Sequence, residues 1–212
     1  MQFDPKIFKA YDVRAVYPAQ LNEQVAYRIA QALVKYLSPA GKKLTLVLGR
    51  DVRESGPQLM EAFQNGLLDA GADVINIGLV STDLFYYAVG NLDADGGVTV
   101  SASHNPREYN GFNMARRGAV PISLDSGLAD IRDLALSQQE FVFAGPRGQV
   151  ASRDLTDEFL TFVAGFADLT GLRPLKLVAD ANFGLQARLL QRLVEKFRLP
   201  VTIVPLNAEP DG

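Results

Sequence analysis

The chain lacks cysteine and tryptophan altogether and has one histidine among its 212 residues. Without cysteine there can be no disulfide, no thiolate zinc site and no thiol nucleophile. With one imidazole, any histidine chemistry runs through His104, and metal sites built from several histidines, such as His-Glu-x-x-His, are excluded. A basic excess is missing too. Lys and Arg number 21 against 24 Asp and Glu, a net charge of −3, which leaves no basic face for a nucleic acid. No apolar run approaches the roughly 18 residues of a membrane span. The start, Met1-Gln2-Phe3-Asp4-Pro5-Lys6, lacks the basic flank and apolar stretch of a secretory signal. A cytoplasmic protein without nucleic-acid or membrane partners is expected. Hydrophobic residues make up 48% and charged residues 21%, a globular balance.

What is present alternates between helix and strand. Leu21, Val25, Ile29, Leu33 and Leu37 recur every four residues behind Asn22, a fitting N-cap, and Ser38-Pro39-Ala40-Gly41 ends the stripe. Strands are expected at 44–48, 73–78 and 97–101, with helices through Leu59, Phe63 and Leu67 and over 82–91 between them. Short strands within 113–122 and a helix over 125–136 follow. The stretch 137–154 loses periodicity and contains Gly145-Pro146-Arg147-Gly148, so it reads as a boundary. The pattern then restarts, with a helix through Phe159 and Phe166, a strand at 175–180, a helix over 185–197 and a strand at 201–204. Strands separated by helices predict α/β architecture: a three-layer α/β/α domain over 1–145 with a mostly parallel mixed sheet, and the first part of a second, similar domain over 146–212.

In such sheets ligands bind beyond the carboxyl ends of the strands. Two loops there carry chemistry: Gly49-Arg50-Asp51-Val52-Arg53-Glu54-Ser55-Gly56, and Ser101-Ala102-Ser103-His104-Asn105-Pro106 running on through Tyr109-Asn110-Gly111-Phe112-Asn113. The second joins a hydroxyl to the only histidine. Serine needs a base or an already polarised electrophile, and phosphoryl transfer supplies the latter. An Asn-Pro turn with Ser and Asn caps explains the same residues without chemistry. A hydrolase triad fits poorly: neighbouring side chains on extended backbone point apart, so Ser103 and His104 are expected to diverge, and no Gly-x-Ser-x-Gly surrounds Ser103. Neither Gly-rich nucleotide-binding motif occurs.

The stretch Ser101 to Pro106 with Tyr109-Asn110-Gly111-Phe112 resembles the phosphoserine loop of the α-D-phosphohexomutases, a family that includes phosphomannomutase and phosphoglucomutase. Phe8-Lys9-Ala10-Tyr11-Asp12-Val13-Arg14, Gly49 to Gly56 and Gly118-Ala119-Val120-Pro121-Ile122 are similar to three further family stretches, in the same order. The resemblance implies an isomerase of carbohydrate metabolism. Phosphate carried on Ser103 passes between the 1- and 6-positions of a hexose phosphate through a hexose bisphosphate. It implies Mg²⁺ bound at the Ser103 phosphate oxygen, Arg14 beside that phosphate, His104 as a proton-transfer or positioning group, and Tyr11 lining the substrate cleft. Arg50, Asp51 and Arg53 are expected to brace the loops through ion pairs and caps rather than to bind substrate.

Departures from the family pattern qualify these expectations. Asn113 stands where the family has a Lys suited to proton transfer, and a carboxamide has no accessible pKa. Arg116 and Arg117, nearby in sequence, could hold phosphate but not shuttle protons. Ala15 replaces a family Gly. The family's metal loop, Asp-Gly-Asp-x-Asp-Arg, is absent and is expected downstream of Gly212, together with the remaining domains, so the chain reads as an N-terminal fragment, inactive alone. A catalytically impaired or non-catalytic relative, binding sugar phosphate or a partner protein, is the alternative.

Overall fold

The computed structural model describes residues 3–137, 140–143 and 145–211. Gln138, Gln139 and Ala144 of the expected boundary segment lie outside the described residues, as do Met1, Gln2 and Gly212. The chain divides into two compact units, the first ending at Arg153 and the second starting at Asp154.

The first unit is built on a sheet with seven strands among the described residues: β1 (Val13–Val16), β2 (Thr45–Arg50), β3 (Asp73–Leu79), β4 (Gly96–Val100), β5 (Tyr109–Arg116), β6 (Val120–Pro121) and β7 (Val150–Ser152). Their order is β1-β5-β4-β2-β3-β7, with β6 on β5. β3 and β4 run parallel to β2, and β7 runs parallel to β3; β5 pairs antiparallel with β1, β4 and β6, so it alone runs against the rest. The helices are α1 (Glu23–Leu37), α2 (Gly56–Asp69), α3 (Thr82–Asn91) and α4 (Leu128–Leu136). α1, α2 and α4 pack together over one face, while α3 lies against β2 and β4 on the other, giving three layers.

Local chemistry sets these elements. The Asn22 side chain accepts from the Val25 amide at 3.1 Å and starts α1; Ser81 accepts from the Leu84 amide at 3.3 Å and starts α3. Both faces of β2 are covered, so Leu46, Val47 and Leu48 are all buried, as in parallel strands generally. Phe63 of α2 meets Phe112 of β5 at 4.7 Å between ring centroids. Burial of such rings stabilises the layer by about 1.5–3 kcal/mol each.

Three sequence expectations change. Tyr109 to Asn113, read as loop, are strand: β5 is buried along most of its length and bonded on both sides. β1 and β7 were not expected at all. β7 also moves the unit boundary from 145/146 to 153/154. Its pairing with β3, together with the Gln149 amide donating to Asp73 Oδ1 at 2.9 Å, ties residues 146–153 to the first sheet.

The second unit has α5 (Thr156–Ala164), β8 (Leu175–Asp180), α6 (Gln186–Phe197) and β9 (Val201–Leu206). β8 and β9 pair in parallel across α6, a βαβ unit. Arg192 of α6 bonds to Asp157 of α5 at 3.0 Å.

Candidate active site

Because β2 and β4 are parallel neighbours, their carboxyl ends bring two connections side by side: the loop 101–108 after β4 and the turn 51–55 after β2. The first loop is tightly wound. The Ser103 amide donates to Ser101 Oγ at 3.0 Å, and both the Asn105 amide and its side-chain Nδ2 donate to the Ala102 carbonyl, at 3.0 and 3.1 Å. Ala102 at one end and Asn110 at the other are fully buried, while Ser103 and His104 between them are exposed.

Ser103 has a φ of 51°. This left-handed conformation costs a non-glycine residue about 1–2 kcal/mol. It also overturns the expected divergence of Ser103 and His104. That expectation assumed extended backbone; with Ser103 left-handed, its Oγ lies 3.2 Å from His104 Nδ1.

Arg53 underlies the loop. Its side chain is 6% exposed, and its guanidinium donates to four backbone carbonyls: Nη2 to Ser103 and Asn105 at 2.8 and 2.6 Å, Nη1 to Pro106 and Tyr109, both at 2.8 Å. Asp51 Oδ1 accepts from the Arg53 amide at 3.0 Å and orients it. Burial pushes the Arg53 guanidinium pKa down, the Asp51 carboxylate opposes this, the Arg14 charge adds to the lowering, and Glu108 again opposes it. The loop-bracing role expected of Asp51 and Arg53 is therefore what the geometry contains. Beside it, Asn110 donates to Ser55 Oγ at 2.8 Å and accepts from the Gly111 amide, fastening the two connections together. Ser101 and Asn110 carried no assigned role from sequence; only their position in a polar loop marked them.

Arg14 sits on β1 opposite Gly111 of β5 and pairs with the Asp12 carboxylate. Its Nε is buried and has no hydrogen-bond partner. The structure brings Ser103, His104 and Arg53 together, and Arg14 near enough for its charge to act on Arg53. Tyr11 is 79% exposed. Arg116 and Arg117 are excluded as phosphate holders at this loop. Arg116 pairs with Gly96 at the opposite end of β4, and Arg117 binds Asp93 and Asp95 there. Asn113, half-buried, lies opposite Thr99.

Among the described residues there is no group of three or more His, Asp or Glu able to hold a metal ion. Around Ser103 the loop offers its own hydroxyl and the His104 imidazole, the Ser101 hydroxyl already accepts from the Ser103 amide, and Arg53 takes the nearby carbonyls, which leaves Glu108 as the loop's one carboxylate. These residues alone do not fit a magnesium site, a hard cation that needs several oxygen ligands.

Residues 5–142 match the family model described as phosphoglucomutase/phosphomannomutase, alpha/beta/alpha domain I. A phosphomannomutase of Escherichia coli is 40% identical over 211 residues, covering 97% of this chain and 45% of the relative. A protein of Xanthomonas campestris pv. campestris named phosphohexose mutases is 41% identical over 206 residues, covering 97% and 44%. The crystal structure of a phosphoglucomutase/phosphomannomutase family protein from Burkholderia thailandensis superimposes with a TM-score of 0.84 at 33% identity, covering 99% of this chain and 45% of that one. The chain thus spans less than half the length of the relatives it matches.

Proposed function

As the chain belongs to the phosphoglucomutase/phosphomannomutase family, we propose that it is the phosphoserine-bearing part of a phosphohexomutase, with Ser103 as the residue that carries the phosphoryl group. The observation that carries this reading is the exposed Ser103 hydroxyl, 3.2 Å from His104 Nδ1 on a loop held by a buried arginine. In the first step the Ser103 Oγ–P bond breaks as a P–O bond forms to the free hydroxyl oxygen of a hexose phosphate. The hydroxyl proton is released, and Oγ takes one up. The product is a hexose bisphosphate. In the return step Oγ attacks the other phosphorus, its proton passes to the unprotonated Nδ1 of His104, and the sugar oxygen leaves with a proton. Apart from the proton that His104 accepts, the scheme asks the protein for positioning and charge, which suits a loop fixed by hydrogen bonds.

Arg14 is the proposed phosphate partner, supported by its buried, unbonded Nε. Tyr11, with its ring in solvent, is proposed to meet the sugar. A magnesium ion, when bound, would offset charge on the phosphate of Ser103; no cluster of three candidate ligands for it occurs among the described residues. For the same reason the 212 residues alone are expected to accept phosphate but not to sustain mutase turnover. No helix among the described residues is long and apolar enough to cross a membrane; a cytoplasmic location is part of the proposal.

Phosphopeptide mapping tests the assignment, on the chain as purified and after incubation with a hexose 1,6-bisphosphate and Mg²⁺. The expected result is phosphate on Ser103 and none in the Ser103→Ala variant. Phosphate on Ser101 or Ser55 instead, or on no serine under either condition, refutes it. Asn113 favours a second reading, a relative that binds sugar phosphate without turning it over. Calorimetric titration with mannose and glucose phosphates separates the two, since saturable binding with no phosphate on Ser103 supports the second.

A further inference from the structure

Residues 103–109 lie between two buried anchors, Ala102 and Asn110, and bury almost none of their own side chains. Ordering each such residue costs about 1–2 kcal/mol of backbone entropy, and apolar packing does not offset it here. The hydrogen bonds must. Within the loop these are the local ones to Ser101, Ala102 and the Pro106 carbonyl, and the Tyr17 amide holds the Glu108 carbonyl at 2.8 Å. From outside it, one side chain reaches four carbonyls spread over seven residues, and the first of the four belongs to Ser103 itself. We infer that Arg53 is a positioning residue for phosphoryl transfer: by holding the Ser103 carbonyl it fixes the left-handed backbone that turns the Ser103 hydroxyl toward His104. The transfer half of this inference rests on the function proposed above; the geometric half does not.

The planar guanidinium is what allows this. Its two terminal nitrogens each reach two carbonyls, and the Asp51 carboxylate stands 3.6 Å from Nε. Lysine keeps the charge but presents three donors on one tetrahedral nitrogen, which cannot span four carbonyls. Arg53→Lys therefore separates positioning from charge.

The single histidine makes the geometry readable. The His104 Cε1 proton gives one imidazole signal with no overlap from another histidine. In the unsubstituted chain, Ser103→Ala should shift that signal, because the hydroxyl contacts the ring. In the Arg53→Lys background, Ser103→Ala should shift it by less than half as much, because the hydroxyl has already moved away. This is a double-substitution cycle read by chemical shift. A second arm measures phosphate uptake at Ser103 from a hexose 1,6-bisphosphate with Mg²⁺. Arg53→Lys is expected to slow it about 100-fold, the order of loss that follows a displacement near 1 Å, with far-UV circular dichroism unchanged. Equal Ser103→Ala shifts in both backgrounds overturn the inference, as does no shift in the unsubstituted chain. So does phosphate uptake by Arg53→Lys at the unsubstituted rate. If the unsubstituted chain takes up no phosphate while the shifts differ as expected, the functional reading falls and the positioning of Ser103 by Arg53 stands. If Arg53→Lys does not fold, Asp51→Asn, which removes the carboxylate charge beside the Arg53 Nε, is carried through both arms with the same criteria.

Discussion

Gly111 offers a direct check on how the sheet supports the site. It lies on β5 opposite Arg14 of β1. A Cβ added there would overlap the Val13 carbonyl oxygen and come within 2.9 Å of the Val13 carbonyl carbon and 3.2 Å of Arg14 Cα. These are backbone atoms, so no rotamer change relieves them. Carbon atoms meet without repulsion at about 3.5–4.0 Å, so in Gly111→Ala β1 must withdraw by roughly 1 Å. Ladder bonds near 2.9 Å would stretch to about 3.9 Å, past the limit of a hydrogen bond. Loss of about two such bonds costs roughly 1–3 kcal/mol. Partial exposure of Val13, which is 0% exposed in the native chain, adds about 1–2 kcal/mol. The sum is about 2–5 kcal/mol, a large share of a typical 5–15 kcal/mol. Gly118→Ala is the internal control. Gly118 has a φ of 74° with nothing within 4 Å of an added Cβ, so it suffers backbone strain alone, about 1 kcal/mol. Urea unfolding of both variants followed by far-UV circular dichroism measures the difference. The reasoning is refuted if Gly111→Ala is no less stable than Gly118→Ala.

Three further outcomes are expected. The Asp73 carboxyl is held below the ordinary carboxylate range by hydrogen bonds from Lys43 and the Gln149 amide. A depressed folded-state pKa contributes stability that is whole above about pH 4 and is lost as pH falls through the folded value; amide protection factors over Val150–Ser152 should fall below pH 4, and unchanged protection factors down to pH 2.5 contradict this. Asn113→Lys, restoring a titratable amine on β5, should raise the rate of phosphate transfer at Ser103 by at least about 10-fold, and an unchanged rate removes Asn113 as the cause of any impairment. Mg²⁺ alone, titrated calorimetrically into the unphosphorylated chain, should show no binding tighter than about 1 mM, since no cluster of three candidate ligands occurs among the described residues; a micromolar Kd contradicts it.

Much of the fold was legible because its elements carry local signals. Asn22 caps α1 as its side chain predicts, and α3 spans the residues that its periodicity predicts. β1 and β7 gave no such signal. β1 has four residues, one of them charged, and β7 is an exposed edge strand of three whose pairing depends on β3. β5 was obscured by Asn110-Gly111, a turn signal in isolation. Here the glycine is required by the close approach of β1, and the Asn side chain is consumed by Ser55 and the Gly111 amide. At the site, the identities of Ser103 and His104 were readable, but their convergence was not. Serine has no intrinsic preference for left-handed backbone, so the conformation comes from donors placed by the fold, chiefly the guanidinium of Arg53 fifty residues earlier.

Strand direction decides which charged residues can serve this loop. Since β1, β2 and β4 share one direction, the residues at or just beyond their carboxyl ends gather at one edge of the sheet, and Arg53 reaches the loop from there. β5 runs the other way. Each residue past Asn110 therefore descends about 3.4 Å from the loop. Arg116, six residues on, is roughly 20 Å down the strand beside Gly96. Asn113 is half as far, opposite Thr99. A Lys there would have to extend its full side chain back up the strand to approach Ser103. Nearness in sequence to the Ser-His pair thus misleads for Arg116 at the far end of β5. Arg53, distant in sequence, is the cation that the sheet's topology brings under the Ser103 loop, with Arg14 near enough for its charge to act on it.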